Sequence, residues 1–406
     1  MKPVMEVTLL TGGRDKPYSF GLVTALISKG VCVDFIGSDE LDNPEWHGKP
    51  QVSFLNLRGS QAPDALIARK VSRVLLYYLR LIGYAAIARP KIFHILWNNK
   101  FEAFDRVPLM FYYKLLGKKT ILTVHNVNAR LRDSNDTWFN RLTLKIQYRL
   151  VDHLFVHTEK MKRELMEQFD VSESAISVIP FGNNNAVPET GLTPSEAKQR
   201  LGIMEDERAI LFFGSIAPYK GLEYLVAAFQ QIVTSRDDYR LMIAGWAKNC
   251  EKYWKSIQEA INPDAKRGLV ILQNDYIPDD EIEVYFKAAD VLVLPYRYIY
   301  QSSVLFLGYR FGLPVIATDM GSLREDIIEG ETGFLCRPED PADLARVIEQ
   351  YFASDLYHGL NSRRQEIREY AHQRYSWDVV GELTENVYKK LLSNHSPTVD
   401  CQVVRR

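Results

Sequence analysis

The sequence predicts an α/β protein of two domains, each built on a parallel sheet with crossover helices. Three observations carry this. At 406 residues the chain is too long for one ordinary core and suits two. Short apolar runs of strand length alternate with stretches of helical periodicity almost from end to end. The alternation breaks once, over residues 183–206, where Asn, Pro, Gly and Glu accumulate, and then restarts.

In the first half, strands are expected at residues 4–10, 31–36, 52–56, 92–96, 120–124, 153–157 and 175–179. Helical stretches fall between them at 20–29, 64–88, 107–116, 140–150 and 159–169. Residues 183–206 read as a linker holding one helix at 194–201. Strands resume at 210–213, 239–244, 269–273, 291–294, 315–317 and 333–336, followed by a helix over 340–353 with Pro341 near its first turn. Residues 376–392 place Trp377, Val380, Leu383, Val387 and Leu391 on one apolar stripe, and the polar tail 393–406 is expected to be mobile.

Net charge is −1, yet it is unevenly spread. Residues 58–149 hold 17 basic against 5 acidic side chains, the footprint of an anionic surface or polyanion. No nucleic-acid partner is expected. Cys32, Cys250, Cys336 and Cys401 lie far apart without zinc spacing and read as reduced packing residues of a cytoplasmic protein. No secretory signal and no run of about 20 apolar residues is present.

The most informative stretch runs from Phe212 through Gly214, Ser215 and Lys220 to Gly221, with helical periodicity resuming at Leu222. A strand, a glycine loop carrying one cation and a helix start together make an anion pocket, since backbone N–H groups and an ammonium meet there. The Walker pattern is absent, and an ordinary β–α turn is the plain alternative. A second such site follows: Leu294-Pro295-Tyr296-Arg297, then Gln301-Ser302-Ser303-Val304, then Gly312-Leu313-Pro314 and Gly321-Ser322-Leu323-Arg324-Glu325.

With these motifs in this order, the chain resembles the retaining glycosyltransferases of family 4, which have the GT-B fold. The resemblance is densest over 205–340 and looser from the Gly12-Gly13 turn to Tyr375-Ser376-Trp377. It implies two Rossmann-like domains facing across a cleft: an acceptor domain at 1–182, and a nucleotide-sugar donor domain at 207–375. The helix 376–392 would cross back to the first domain. The resemblance further implies that Lys220 meets the donor diphosphate together with backbone at Ser302, Ser303 and Val304, and that His125 lies against the donor sugar. It also implies a donor hydroxyl on Glu325, the base near Tyr276 and Ile277, and the donor phosphate or acceptor at Gly12 and Gly13. Helix capping by serine, a dipole-stabilised Glu325 and a structural histidine are the bland alternatives.

The chain departs from the family at three positions. Ser215 stands where an Arg is usual, so Arg297 or Arg324 is expected to supply the missing charge. Ile299 and Leu307 stand where two Glu are usual. No Asp-x-Asp motif is present, so metal-independent transfer is expected, with the leaving phosphate accepting the proton. A non-catalytic GT-B scaffold subunit and a nucleotide-sugar epimerase are the competing readings.

The acceptor is expected to be a glycan or a lipid-linked molecule. On a helix, Arg69, Arg73 and Arg80 share one face with Leu76 and Ile87, opposite a core-facing stripe of Ile67, Val71, Val74, Tyr78 and Ile82. Arg141, Lys145 and Arg149 form a second basic row. Two such stripes suit peripheral docking on an anionic membrane's inner face.

Overall fold

In the computed structural model of the chain, residues 5–13, 16–61, 66–132, 135–182, 187–247 and 250–393 are described. The expected mobile tail, beyond residue 393, lies outside them. Residues 64–65 of the expected long helix and 183–186 of the linker do so as well.

Seven strands make the first sheet: β1 Glu6–Leu10, β2 Cys32–Gly37, β3 Val52–Asn56, β4 Ile92–Ile95, β5 Lys119–Thr123, β6 His153–Val156 and β7 Ile176–Val178. They pair in parallel in the order β3-β2-β1-β4-β5-β6-β7. Six make the second: β8 Arg208–Phe213, β9 Tyr239–Ala244, β10 Val270–Gln273, β11 Val291–Leu294, β12 Val315–Thr318 and β13 Gly333–Cys336. Their order is β10-β9-β8-β11-β12-β13, again parallel. β4 and β11 are buried at every residue, as strands covered by helices on both faces must be. Helices beyond those expected, among them Glu251–Lys266, Ile282–Ala288 and Leu360–Tyr375, join the second domain's layers.

The expected linker is largely part of the second domain. Val187, Leu192, Ala197 and Ile203 lie in that domain's core. The helix Pro194–Arg200 is closed by a Thr193–Glu196 capping box, and Lys198 pairs with Asp290 at 3.1 Å. A capped helix with an apolar side finds more burial on the sheet than in water.

The helix Ile67–Ile87 turns its expected side inward, with one departure near its start. Tyr77, Tyr78, Leu81 and Ala85 face the core, whereas Val71, assigned to that stripe, is exposed. Val74, Tyr78 and Ile82 of the expected stripe pack on the core, and the Tyr78 hydroxyl donates to buried Asp105 at 2.9 Å.

The helix Trp377–Ser393 does cross back. Trp377, Val380, Val387 and Tyr388 complete one core layer of the first domain. Tyr388 Oη lies 2.6 Å from Nδ1 of His94, whose Nε2 meets Thr123 Oγ1 at 2.7 Å. His94 is therefore a fully bonded core group, and burial pushes its pKa down to about 3.

Candidate functional site

In open parallel sheets, ligands bind where the strand order reverses, beyond the strands' C-terminal ends. Here those points lie between β1 and β4 and between β8 and β11. The chain leaves them as Gly12-Gly13 and Trp97-Asn98 in the first domain, and as Gly214 to Gly221 and Pro295-Tyr296 in the second. A cavity of about 730 Å³ lies elsewhere: it opens around Lys198, Asp290 and Arg364, by the start of β11. It lies at the wrong strand ends for that rule.

In the second domain the structure brings the expected donor-loop residues together. Lys220 is only 7% exposed. Its Nζ lies 3.4 Å from Tyr296 Oη, which lies 3.4 Å from Ser302 Oγ. A Cβ on Gly214 would sit 3.5 Å from both Lys220 Nζ and a Val304 methyl. Ser302 stands at the N-cap of the helix Ser303–Arg310 without bonding it through its side chain. The first N–H groups of that helix therefore lack the usual capping acceptor beside a buried ammonium. Among the described residues no carboxylate lies within ion-pairing distance of Lys220. Gly221 shapes the loop: its φ is +64° and a Cβ would stand 2.0 Å from the Pro295 carbonyl oxygen, so a side chain is excluded. Tyr296 was not singled out by sequence reasoning, although its place directly after Leu294-Pro295 was the available signal.

Around this pocket the substitutions leave neutral surroundings. Ser215 is exposed, Ile299 is half-buried and Leu307 is buried. Tyr276 is 70% exposed beyond β10, while Ile277 packs into the core. Arg297 does not supply the missing charge: it pairs with Glu339 at 3.2 Å and stands 3.9 Å from Glu223. Arg324 is likewise held by Asp319 through Nε at 2.7 Å. Both guanidinium groups find carboxylates nearer than the pocket.

Glu325 is placed differently from expectation. Its carboxylate accepts the backbone N–H groups of Glu159, at 3.0 Å, and Lys160, at 3.1 Å. It therefore caps the helix Glu159–Phe169 of the other domain, where partial positive charge favours it. Tyr300 is inserted beside it into the first domain's core, and Asn128 N donates to its Oη at 3.4 Å.

In the first domain Gly12 and Gly13 have φ of +62° and +72°, so the turn needs glycine. A Cβ on Gly12 would meet Trp97 Cβ at 2.7 Å, and the Gly13 N–H donates to Thr11 Oγ1 at 3.1 Å. Trp97 stacks on His125 with ring centroids 4.1 Å apart and planes 2° off parallel. Tyr18 meets the same imidazole edge-on at 4.8 Å.

His157 Nδ1 lies 3.2 Å from the Ile179 carbonyl and its Nε2 lies 3.0 Å from His125 Nδ1. A proton on His157 Nδ1 makes its Nε2 an acceptor, so His125 donates through Nδ1. Burial pushes both imidazoles down, His157 to about 4, with the neighbouring His157 adding to the effect on His125. His125 also lines a pocket of about 130 Å³ with Asn98, Glu102, Arg106 and Gln147. It sits at the cleft end of its strand, but more tightly walled by aromatics than sequence reasoning foresaw.

The basic rows divide. Arg73 and Arg80 each donate to carbonyl oxygens of the loop after β3, which leaves their charge intact, and Arg69 is exposed. The second row is largely neutralised: Arg141 pairs with Asp136, and Lys145 and Arg149 both pair with Asp170, at 2.6 and 3.1 Å. Asp170 lies outside the residues counted, and Asp136, though counted, is held directly on the row.

Two parallel-sheet domains with crevices at both switch points and a returning last helix define the GT-B class. The family described as Glycosyltransferase Family 4 matches residues 18–184, and Glycosyl transferases group 1 matches residues 207–354. The chain belongs to these family 4, group 1 enzymes and is a glycosyltransferase. It is 26% identical to the D-inositol 3-phosphate glycosyltransferase of Corynebacterium aurimucosum over 70% of this chain and 68% of that protein. An uncharacterized glycosyltransferase of Methanocaldococcus jannaschii is 27% identical over 57% of this chain and 58% of that one. The chain thus spans a little over half to two thirds of such relatives. Among solved structures, sucrose-phosphate synthase of Thermosynechococcus elongatus superposes with a TM-score of 0.76 at 20% identity, covering 96% of this chain and all of that one. HepE of Anabaena in complex with UDP-glucose gives 0.70 at 15% identity, over 96% of this chain and all of that one. At such identities these two speak for the fold.

Proposed function

We propose that the protein is a retaining glycosyltransferase that moves a hexose-type sugar from a nucleoside-diphosphate sugar to a glycan or lipid-linked acceptor, without a metal ion. Lys220 carries the reading. A buried ammonium without a carboxylate partner is costly, and a diphosphate between it and the open helix start at Ser302 would relieve that cost. HepE, similar in fold, was solved with UDP and with UDP-glucose. In this reading Lys220 and the N–H groups at Ser303 and Val304 stabilise charge as it builds on the leaving diphosphate. Gly214 leaves room for it, Ile277 and Tyr276 border the base through their backbone, and His125 and Gly12-Gly13 wall the sugar and acceptor side. With Ile299 and Leu307 in place of carboxylates, the ribose is held by backbone or neutral groups.

Calorimetric titration of UDP- and GDP-sugars, followed by nucleotide release and NMR of the product's anomeric configuration, tests this. Binding, release and retained configuration, unaffected by EDTA, are expected. Inversion, or activity lost to EDTA and restored by Mn²⁺, would overturn the retaining or the metal-free part respectively.

The partner surface belongs to the same reading: a cytoplasmic enzyme docked on an anionic membrane face. No helix among the described residues is long and apolar enough to cross a membrane. Leu79 is 68% exposed, Ile87 83%, Leu115 85% and Trp138 75%, all on helices that cover one side of the first sheet. Exposed apolar side chains beside Arg69 and Arg80 suit partial immersion among anionic headgroups. Sedimentation with liposomes should retain the protein more as anionic lipid increases and less as salt increases. A Leu79→Ser/Leu115→Ser/Trp138→Ser variant should stay in the supernatant. Equal recovery from neutral and anionic liposomes would leave a soluble acceptor as the better idea.

A further inference from the structure

We propose that Arg58 anchors a second anion site in the cleft, which takes a phosphate group carried by the acceptor. The proposal rests on the functional reading only in giving the first domain to the acceptor.

Arg58 follows β3 at the sheet's C-terminal edge. Its guanidinium lies over the ring of buried Tyr77, 4.3 Å from the centroid, and Nη2 donates to Asn99 Oδ1. Asn99 is itself fixed, since its backbone N–H and side-chain amide both donate to Asp105. On the cleft side, a Cβ on Gly13 would stand 2.8 Å from Arg58 Nη1, so the guanidinium lies directly against the glycine turn after β1. The same turn touches Trp97 through Gly12, and Trp97 stacks on His125. Arg58 therefore shares one wall of the cleft with the strand-end imidazole.

What makes this more than a strap between loop and helix is its missing counter-charge. Among the described residues no carboxylate is within ion-pairing distance of Arg58, and its buried Nε has no hydrogen-bond partner. Asp105 stands behind Asn99 and feels the Arg58 charge, but burial is the larger effect and lifts its carboxyl to about 6, weakening it as a counter-ion. Arg80 turns to the Leu57 carbonyl in the same loop and brings a further positive charge. Glu40, whose pKa is lowered against the effect of burial by hydrogen bonds from Ser38 and Gln61 and by the Arg73 charge, faces Arg73. A guanidinium held flat by an aromatic ring and an amide is preorganised for the paired oxygens of a phosphate. Gly13, lacking a side chain, leaves the guanidinium room to lie flat there.

The test uses the full chain with its donor site saturated by UDP, titrated with glucose 6-phosphate. A second arm uses phosphatidylcholine vesicles with and without phosphatidic acid, which separates a free phosphate ester from a lipid headgroup. Phosphate-dependent binding in either arm is expected to fall about tenfold or more in Arg58→Gln, while UDP affinity and thermal midpoint stay unchanged. In the wild-type chain, the bound phosphate should also protect Arg58 from phenylglyoxal, read by peptide mass. That measurement stands even if the variant folds poorly. Equal binding by wild type and Arg58→Gln, no binding in either arm, or a lower midpoint with binding intact would each overturn the site. Failure of UDP to bind while Arg58-dependent phosphate binding persists would sink the donor reading and leave this one supported.

Discussion

Lys220→Ala is expected to lower turnover by about two to three orders of magnitude, the usual scale for losing one preorganised stabiliser of transition-state charge. The residue is buried, its loop is fixed by Gly221 under the Pro295 carbonyl, and its ammonium lies near Tyr296 Oη. It therefore needs little reorganisation when charge appears, which is the source of the effect. The variant should fold normally, because removing an unpaired buried ammonium leaves no carboxylate exposed to the interior. Nucleotide release measured at saturating donor checks it. Near wild-type turnover in a folded variant would remove Lys220 from the diphosphate site.

Trp377→Ala is expected to cost about 3–5 kcal/mol of stability, the range for emptying a large aromatic site in a core. Trp377 enters a slot that two glycines keep open: a Cβ on Gly21 would stand 1.9 Å from its ring and one on Gly182 2.5 Å. Tyr18 meets it edge-on with centroids 5.2 Å apart. Urea unfolding of the variant measures the loss directly. Gly21→Ala gives the reciprocal result, damaging to the native chain but tolerated once Trp377→Ala has vacated the space. A loss below about 1 kcal/mol would mean that the slot closes over on its own.

The sequence shows what is local. The strand and helix alternation was legible because each element announces itself within its own periodicity. The Gly214–Gly221 loop was legible because a glycine, a lysine and a helix start lie within eight residues. The crossing helix could be placed through the family resemblance, while its own stripe showed only that one face would be buried.

What could not be read depends on partners far along the chain. Asp170 quenches Lys145 and Arg149 from the following helix's end, and Glu325 finds its donors at Glu159 and Lys160 across the domains. Val71 shares the inward face of the 67–87 helix with Tyr78, yet only Tyr78 meets a buried partner, Asp105, on a later segment.

The returning helix also sets an order of assembly. His94 meets Tyr388 across 294 residues of chain. At a synthesis rate of about 5–20 residues per second, that separation is roughly 15–60 s of translation. Throughout that interval the first sheet has one face without its final cover. The second domain draws its core from residues 187–375 and can close on itself sooner. The half of the protein made first is thus the last to be finished, and it spends that wait as the species most open to chaperones and to misassembly.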